Sequence, residues 1–281
     1  MLSLRVLGAL DAGFDPERAA APDLGGPRQR SVLALLLVAR GQVVSVDRLV
    51  EDLWNGEAPP RAIGALQAYV SHLRRALEPD RAPRTPATVL VSEPPGYAIR
   101  VPSDAVDAWR FESLVRQAGE PGQESRARAL LQEALDLWRG PAYAEFESEQ
   151  WASTEAGRLA GLRTVARERW CGAALREGDA AEAVVAAEVL TREFPLREEG
   201  WRLLAIGLYA TGRQADALAA LRRARNLLTD ELGMDPGPAL VQVEADILAQ
   251  RLAVPTAGRT STSVRTAIPV SYTHLTLPTK A

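Results

Sequence analysis

Apolar and polar residues alternate at the start of the chain, with Leu2, Leu4 and Val6 on one side, which is the period of a half-buried strand. Asp, Gly and Pro between residues 11 and 26 mark turns around one or two further strands, so a small N-terminal sheet is expected. The period then lengthens. "GGPRQRSVLALLLVARG" predicts a helix with Pro27 in its first turn, an apolar run through Leu37 and Gly41 as its stop. "VVSVDRLVEDLW" predicts a second helix, with Ser45 as N-cap, Asp47 in the first turn and Val46, Leu49, Val50 and Leu53 on one face. "NGEAPP" ends it, and a third helix starts at about Pro60. In "TVLVSEPPGYAIRV", Val89 and Val91, a turn at Pro94, Pro95 and Gly96, then Ile99 and Val101 spell a β-hairpin.

The third helix, "RAIGALQAYVSHLRRALEP", has two different sides. Ile63, Leu66, Val70, Leu73 and Leu77 fall in a stripe roughly 80° wide, the width of a face committed to a core. Opposite them cluster Arg61, Gly64, Ala68, Ser71, His72 and Arg75, with no carboxylate before Glu78. A solvated face more often mixes Glu and Lys, so this side is either an unusual solvent face or a nucleic-acid contact. Position weighs on the choice. Strands, three helices and a hairpin within about one hundred residues are the order of a winged helix, whose third helix enters the major groove while the hairpin touches the backbone. Residues 55 to 59 make a longer turn than a simple helix-turn-helix has, as in effector domains of response regulators that use this loop to touch polymerase.

From about residue 104 the 3.6-residue period dominates, through "DAWRFESLVRQAG", "SRARALLQEALDLWRG", a long run from Glu149 to Glu177 and four shorter helices. "GDAAEA" at 178–183 and "GRQADA" at 212–217 lie 34 residues apart, the tetratricopeptide period. Trp201, Leu204, Ala205, Ala217 and Ala224 occupy that repeat's anchor and packing positions, and Trp170, Cys171, Ala183 and Pro195 fit it more loosely. Cys171 is accordingly read as a buried structural thiol, and Trp138, Trp151, Trp170 and Trp201 as core or inter-helix anchors. Stacked helix pairs leave a groove suited to a protein partner, with plain helical filling as the other reading. Residues 256–281 hold ten Ser or Thr and no Asp or Glu, the composition of an unstructured tail. Their end, "VSYTHLTLPTKA", looks like translated adapter or vector sequence and is set aside from fold reasoning.

Composition narrows the function classes. With 281 residues and 47% hydrophobic content the chain is long enough for two domains with cores. One cysteine excludes an internal disulfide, and two histidines make a conventional zinc site a poor expectation. There is no Gly-rich phosphate loop, nucleophile elbow or paired-carboxylate constellation, so an enzyme is not expected, nor any cofactor. With no apolar run of membrane-spanning length, no membrane partner is expected and a cytoplasmic location is. The net charge of −3 excludes a uniformly basic protein, yet residues 61 to 77 hold three arginines and no acid. Lys280 is the only lysine; arginine is the better bidentate ligand of phosphate and guanine, and a GC-rich genome gives the same bias.

"LGGPRQRSVLALLLVARGQVVSVDRLVEDLW", "ALQAYVSHLRRALEP", "PPGYAIRV", "DAWRFESLV" and "LAIGLYATGRQADALAALRRARNLLTDELGMDPGPAL" together resemble the Streptomyces antibiotic regulatory protein (SARP) family, over residues 1 to about 252. The resemblance implies a mainly α protein: an OmpR-like winged helix-turn-helix at 1–102 and an all-helical, tetratricopeptide-like bacterial transcriptional activation domain at 104–253, with the compositionally disordered tail at 254–281 outside it. It implies a transcriptional activator of a secondary-metabolite gene cluster, binding direct repeats in double-stranded DNA as a head-to-tail homodimer and recruiting RNA polymerase holoenzyme.

By the same resemblance the recognition helix is residues 60–77, with Gly64, Gln67, Ala68, Ser71, His72 and Arg75 facing the groove and Arg74 near its rim. Related effector domains often carry arginine where Ser71 and His72 stand. The wing tip falls on Glu93 to Tyr97, where the backbone and Tyr97 are better DNA contacts than Glu93, which repels phosphate. Arg28 and Arg30 open the first helix, a favourable place to hold a phosphate. The alternative function is a tetratricopeptide-type adaptor whose winged helix binds protein rather than DNA.

Overall fold

The computed structural model describes residues 2–14 and 21–253. The expected tail therefore lies outside the described residues.

Two short strands, β1 (Ser3–Arg5) and β2 (Asp11–Gly13), pair antiparallel with Leu4 opposite Ala12. Leu4 and Val6 are fully buried, as their alternation requires. Helix α1 (Pro27–Val38) has proline in its first turn and buries Val32 to Leu37 without interruption. A run apolar on all sides marks a helix packed on several faces. After it, Arg40 and Gly41 both take positive φ and turn the chain.

Helix α2 (Val46–Trp54) is capped as expected: the Ser45 hydroxyl accepts from the Arg48 amide at 3.2 Å. Directly before it, β3 (Val44–Ser45) is a strand that hydrophobic periodicity gave no reason to expect, because two residues are too few to show a period. It pairs with β5 (Gly96–Ile99), which pairs in turn with β4 (Leu90–Glu93), so the hairpin is the larger part of a three-stranded sheet. Leu90 and Ile99 face each other across the hairpin and are both buried. Between α2 and the hairpin runs α3 (Ala62–Leu77).

Four of the five residues assigned to the core face of α3 are there. Leu66, Val70, Leu73 and Leu77 are 0 to 2% exposed, whereas Ile63 is 55% exposed and Ala62 is buried in its stead. Ile63 sits at the edge of the stripe in the first turn, where the buried position falls to Ala62 instead. Angular position on a helix says which way a side chain points, not whether anything stands opposite.

The helical part comprises α4 (Asp107–Gln117), α5 (Ala127–Asp136), α6 (Gln150–Glu177), α7 (Ala180–Glu193), α8 (Glu198–Ala210), α9 (Gln214–Leu232) and α10 (Pro238–Leu248). The 34-residue period is visible in its hydrogen bonds. Gly178 donates to Leu175 O and Asp179 to Ala174 O; 34 residues on, Gly212 donates to Tyr209 O and Arg213 to Leu208 O. Both glycines have φ above +75°, a conformation that costs other residues free energy. Trp170 and Trp201 are buried, and the Trp201 indole donates to Pro195 O at 2.8 Å. Cys171 is fully buried, and burial pushes its thiol up to about 12, far from a reactive thiolate.

The N-terminal sheet packs against the helical part as well as against the winged helix. Buried Asp107, at the start of α4, accepts from the amides of Val6 (2.8 Å), Leu7 (3.0 Å) and Ala108 (2.7 Å). Leu4 bridges Val106 in parallel, and the amides of Arg139, Tyr143 and Ala144 donate to Leu7, Val6 and Gly8 carbonyls. Burial raises the Asp107 carboxyl pKa even against these three donors and Arg139.

Candidate nucleic-acid interface

The outward surface of α3 is built by what holds its inward one. Leu66 and Leu73 are fully buried, each worth roughly 1.5–3 kcal/mol, and they fix the helix's rotation. With that rotation Gly64, Gln67, Ala68, Ser71 and Arg75 are exposed along one strip, with Arg61 at its N-terminal end. No side chain caps α3 and no acidic residue stands in its first turn. A Cβ placed on Gly64 meets nothing within 4 Å, so no contact inside the protein calls for glycine there. Arg61 and Arg75 have no carboxylate partner among the described residues; Arg75 reaches only the Ser71 carbonyl, at 3.4 Å. Several arginines of the helical part do have a carboxylate partner: Arg110 pairs with Glu133, Arg197 with Glu168, Arg202 with Glu199 and Arg225 with Glu244.

The carboxylate at the end of the strip is occupied. Glu78 accepts from the Thr88 amide (2.7 Å), the Thr88 hydroxyl (2.6 Å) and the Val89 amide (3.2 Å). Burial works against its charge, but these donors and Arg81 outweigh it and hold its pKa below the ordinary range. Its charge is thus spent on the segment leading into β4.

His72, expected to face the groove, lies at the flank of the strip, as does Arg74, expected near its rim. The His72 ring donates through Nε2 to the Asp23 carbonyl at 3.0 Å, tying α3 to the segment before α1. Arg74 donates to Leu90 O and Ser92 Oγ, both at 2.8 Å, and lies 5.9 Å from the centre of the Tyr97 ring. It braces α3 against the hairpin and half-covers Tyr97. At the other end Arg28 donates to Leu53 O at 2.9 Å and stacks on Trp54, itself stacked on Tyr69 of α3. Arg30 points elsewhere: its guanidinium grips Glu145, in the segment before α6, and the Leu10 carbonyl. The structure therefore gives Arg30 to the joint between the two parts of the chain rather than to an outside anion. Spacing within α1 showed that Arg28 and Arg30 share its first turns, but a partner 115 residues away leaves no local signal.

The hairpin also resolves the concern over Glu93. Arg100, on the neighbouring strand's continuation, donates to both its oxygens, at 3.0 and 2.6 Å, and lowers its pKa. The wing tip thus carries a neutralised pair rather than a bare carboxylate. Gly96 pairs with both Glu93 and Ser45, and a Cβ there would lie 1.8 Å from the Val44 carbonyl oxygen, so only glycine lets the three strands close.

A three-helix unit with a hairpin wing and an arginine-bracketed third helix, joined to stacked helix pairs, defines a DNA-binding transcriptional regulator. Residues 24–99 match the family model described as transcriptional regulatory protein, C terminal, and residues 106–248 match the bacterial transcriptional activator domain. The chain belongs to the SARP family of transcriptional activators, a family of regulators rather than enzymes. It is 39% identical over 251 residues to the regulatory protein AfsR of Streptomyces coelicolor, covering 88% of this chain and 24% of AfsR. It is 34% identical to the transcriptional regulatory protein MoaR1 of Mycobacterium tuberculosis, over 89% of this chain and 80% of MoaR1. A solved structure of Mycobacterium tuberculosis EmbR, in complex with a low affinity phosphopeptide, superposes with a TM-score of 0.81 at 34% identity, covering 90% of this chain and 66% of that one. The chain thus spans about a quarter of AfsR and two thirds of EmbR. No helix among the described residues is long and apolar enough to cross a membrane.

Proposed function

We propose that α3 lies in the major groove with Gly64, Gln67, Ala68, Ser71 and Arg75 towards the base edges, while Arg61 and the β4–β5 tip contact phosphates. The observation that carries this reading is the exposed, carboxylate-free strip of α3 with unpaired Arg61 and Arg75. Small side chains on that strip admit close approach of the backbone, and base-edge donors then specify sequence while phosphate contacts set affinity. Arg74 and His72 act as braces that hold α3 to the wing and to the segment before α1. Arg28, half-committed to Trp54, remains within the same surface as a phosphate contact.

Such a protein reads direct repeats as two copies head to tail, about one helical turn or roughly 34–36 Å apart, with a heterologous contact between them. The exposed loop between α2 and α3, residues 55–60, and the helical part offer the surfaces for RNA polymerase. Membership of the SARP family supports control of a secondary-metabolite gene cluster.

Titration of the intact protein with promoter DNA of its neighbouring genes, across a salt series, tests the groove assignment. Arg75→Ala is expected to weaken specific binding by on the order of 1–3 kcal/mol, and Arg61→Ala to lower the salt slope by about 1. Specific binding unchanged by Arg75→Ala would overturn it.

A further inference from the structure

A cavity of about 530 Å³ lies between the segment joining α5 to α6 and the first half of α6. None of its lining residues belongs to α3 or the hairpin. Its walls are apolar: Trp138, Tyr143 and Phe146 on one side, and Ala152, Ala156 and Ala160 of α6 on the other. That volume and lining are typical of small-molecule sites, which pair an apolar body with a few placed polar groups.

The placed polar group here is Arg163. The Arg163 guanidinium lies 4.6 Å from the centre of the Trp138 ring. Arg163 Nε and Trp138 Nε1 are both buried, and neither has a hydrogen-bond acceptor among the described residues. Arg163 also lacks a carboxylate partner there, whereas Arg158 pairs with Glu155 and Arg167 with Glu193 on the same helix. Both nitrogens are closed to solvent, as are four other side-chain atoms without a hydrogen-bond partner among the described residues, so neither is offered to the cavity. What Arg163 offers it is the rest of its partly exposed guanidinium, with no carboxylate against it. Glu147 stands on the same lining and disfavours a second negative charge.

We propose that this cavity binds a small organic monoanion, its apolar body against Tyr143, Phe146 and the alanines of α6, and its carboxylate on the Arg163 guanidinium. The loop that forms one wall is also the loop whose Arg139, Tyr143 and Ala144 amides hold residues 6–8, so an occupant stiffens the joint between the two parts of the chain. This site is independent of the DNA-facing surface, and its test involves no DNA.

The test is calorimetric titration of the intact protein with octanoate and 1-naphthoate as probes, beside neutral 1-octanol, with the unfolding temperature as a second readout. Saturable binding of at least one acid at one site per chain, with a raised unfolding temperature, is the expected result. Arg163→Gln should weaken the acid about tenfold and leave octanol unchanged, the loss of one charge-assisted contact. Ala160→Leu, a change at an exposed position of α6, should weaken acid and alcohol alike by filling the cavity. Circular dichroism of both variants establishes that they fold, and Arg163→Lys, which keeps the cation, replaces Arg163→Gln should that variant unfold; it should weaken the acid less than tenfold. Failure of both acids to saturate overturns the proposal, as does acid binding that neither cavity variant changes.

Discussion

Arg30 in α1 and Glu145 before α6 meet in a two-pronged ion pair, Nε to Oε2 at 2.6 Å and Nη2 to Oε1 at 2.5 Å, across 115 residues of sequence. The pair raises the already high pKa of Arg30 through the Glu145 hydrogen bond, against the cost of its burial. It joins the unit that carries α3 to the helical stack. Both side chains are about a quarter exposed, so the pair is worth roughly 1 kcal/mol. Arg30→Met and Glu145→Gln should each lower unfolding free energy by about that amount, and the double variant should lose less than their sum. Neither should alter the salt dependence of DNA binding. A shallower salt slope in Arg30→Met alone would mean that Arg30 leaves Glu145 for a phosphate.

The first two large apolar residues of α3 should respond very differently to truncation. Ile63 is 55% exposed and Leu66 is fully buried. Leu66→Ala is expected to cost roughly 2–5 kcal/mol, the transfer term plus a cavity. Ile63→Ala should fall within about 0.5 kcal/mol of the parent. Chemical denaturation of the two variants checks the pair of values, and equal large losses would return Ile63 to the core.

This contrast shows where the sequence was legible. The periods of 2 and 3.6 residues, Pro27, Ser45 and the 34-residue spacing each report on local geometry, and each appears in the structure where the pattern placed it. The identity of the outward strip of α3 was readable too, because Leu66, Val70, Leu73 and Leu77 fix the rotation. What could not be read is set by partners distant in sequence. His72 finds Asp23, Arg74 finds the hairpin, and Arg30 finds Glu145, and each of these side chains would look free on a helical wheel. The two-residue strand β3 was hidden for a different reason: its existence depends on the neighbouring β5 and on Gly96, not on any pattern of its own.

Gly96 makes that dependence testable. A methyl group there would lie 1.8 Å from the Val44 carbonyl oxygen and 2.8 Å from the Ser45 Cα, both backbone atoms that no rotamer change can move. Gly96→Ala should therefore separate β3 from β5, at on the order of 1–3 kcal/mol. Hydrogen exchange should speed up at the β3–β5 amides while α7 to α9 keep their protection. Unchanged exchange in the hairpin would show that the sheet absorbs the methyl group.

The joint between the two parts should also weaken in acid. Glu155 in α6 accepts from Arg158 Nε and Nη2, both at 2.7 Å, and from Arg40 Nη2 at 3.2 Å, while Glu112 of α4 pairs with the same two arginines. Burial pushes the Glu155 carboxyl up, but the bonds and charges of Arg158 and Arg40 push it further down, leaving its pKa below the ordinary range. A carboxyl whose folded pKa is depressed binds fewer protons folded than unfolded. Its contribution is therefore complete above the unfolded value of about 4.3 and is lost as pH falls through the folded one. Glu155→Gln should lower stability by on the order of 1–3 kcal/mol near neutral pH, the range for hydrogen bonds to a charged group. As pH falls below about 4, the gap between parent and variant should close, because protonation removes from the parent what the substitution removed from the variant. Unfolding temperatures of both proteins across that acid range measure the gap, and a gap constant with pH would show that the charge on Glu155 contributes nothing to the joint.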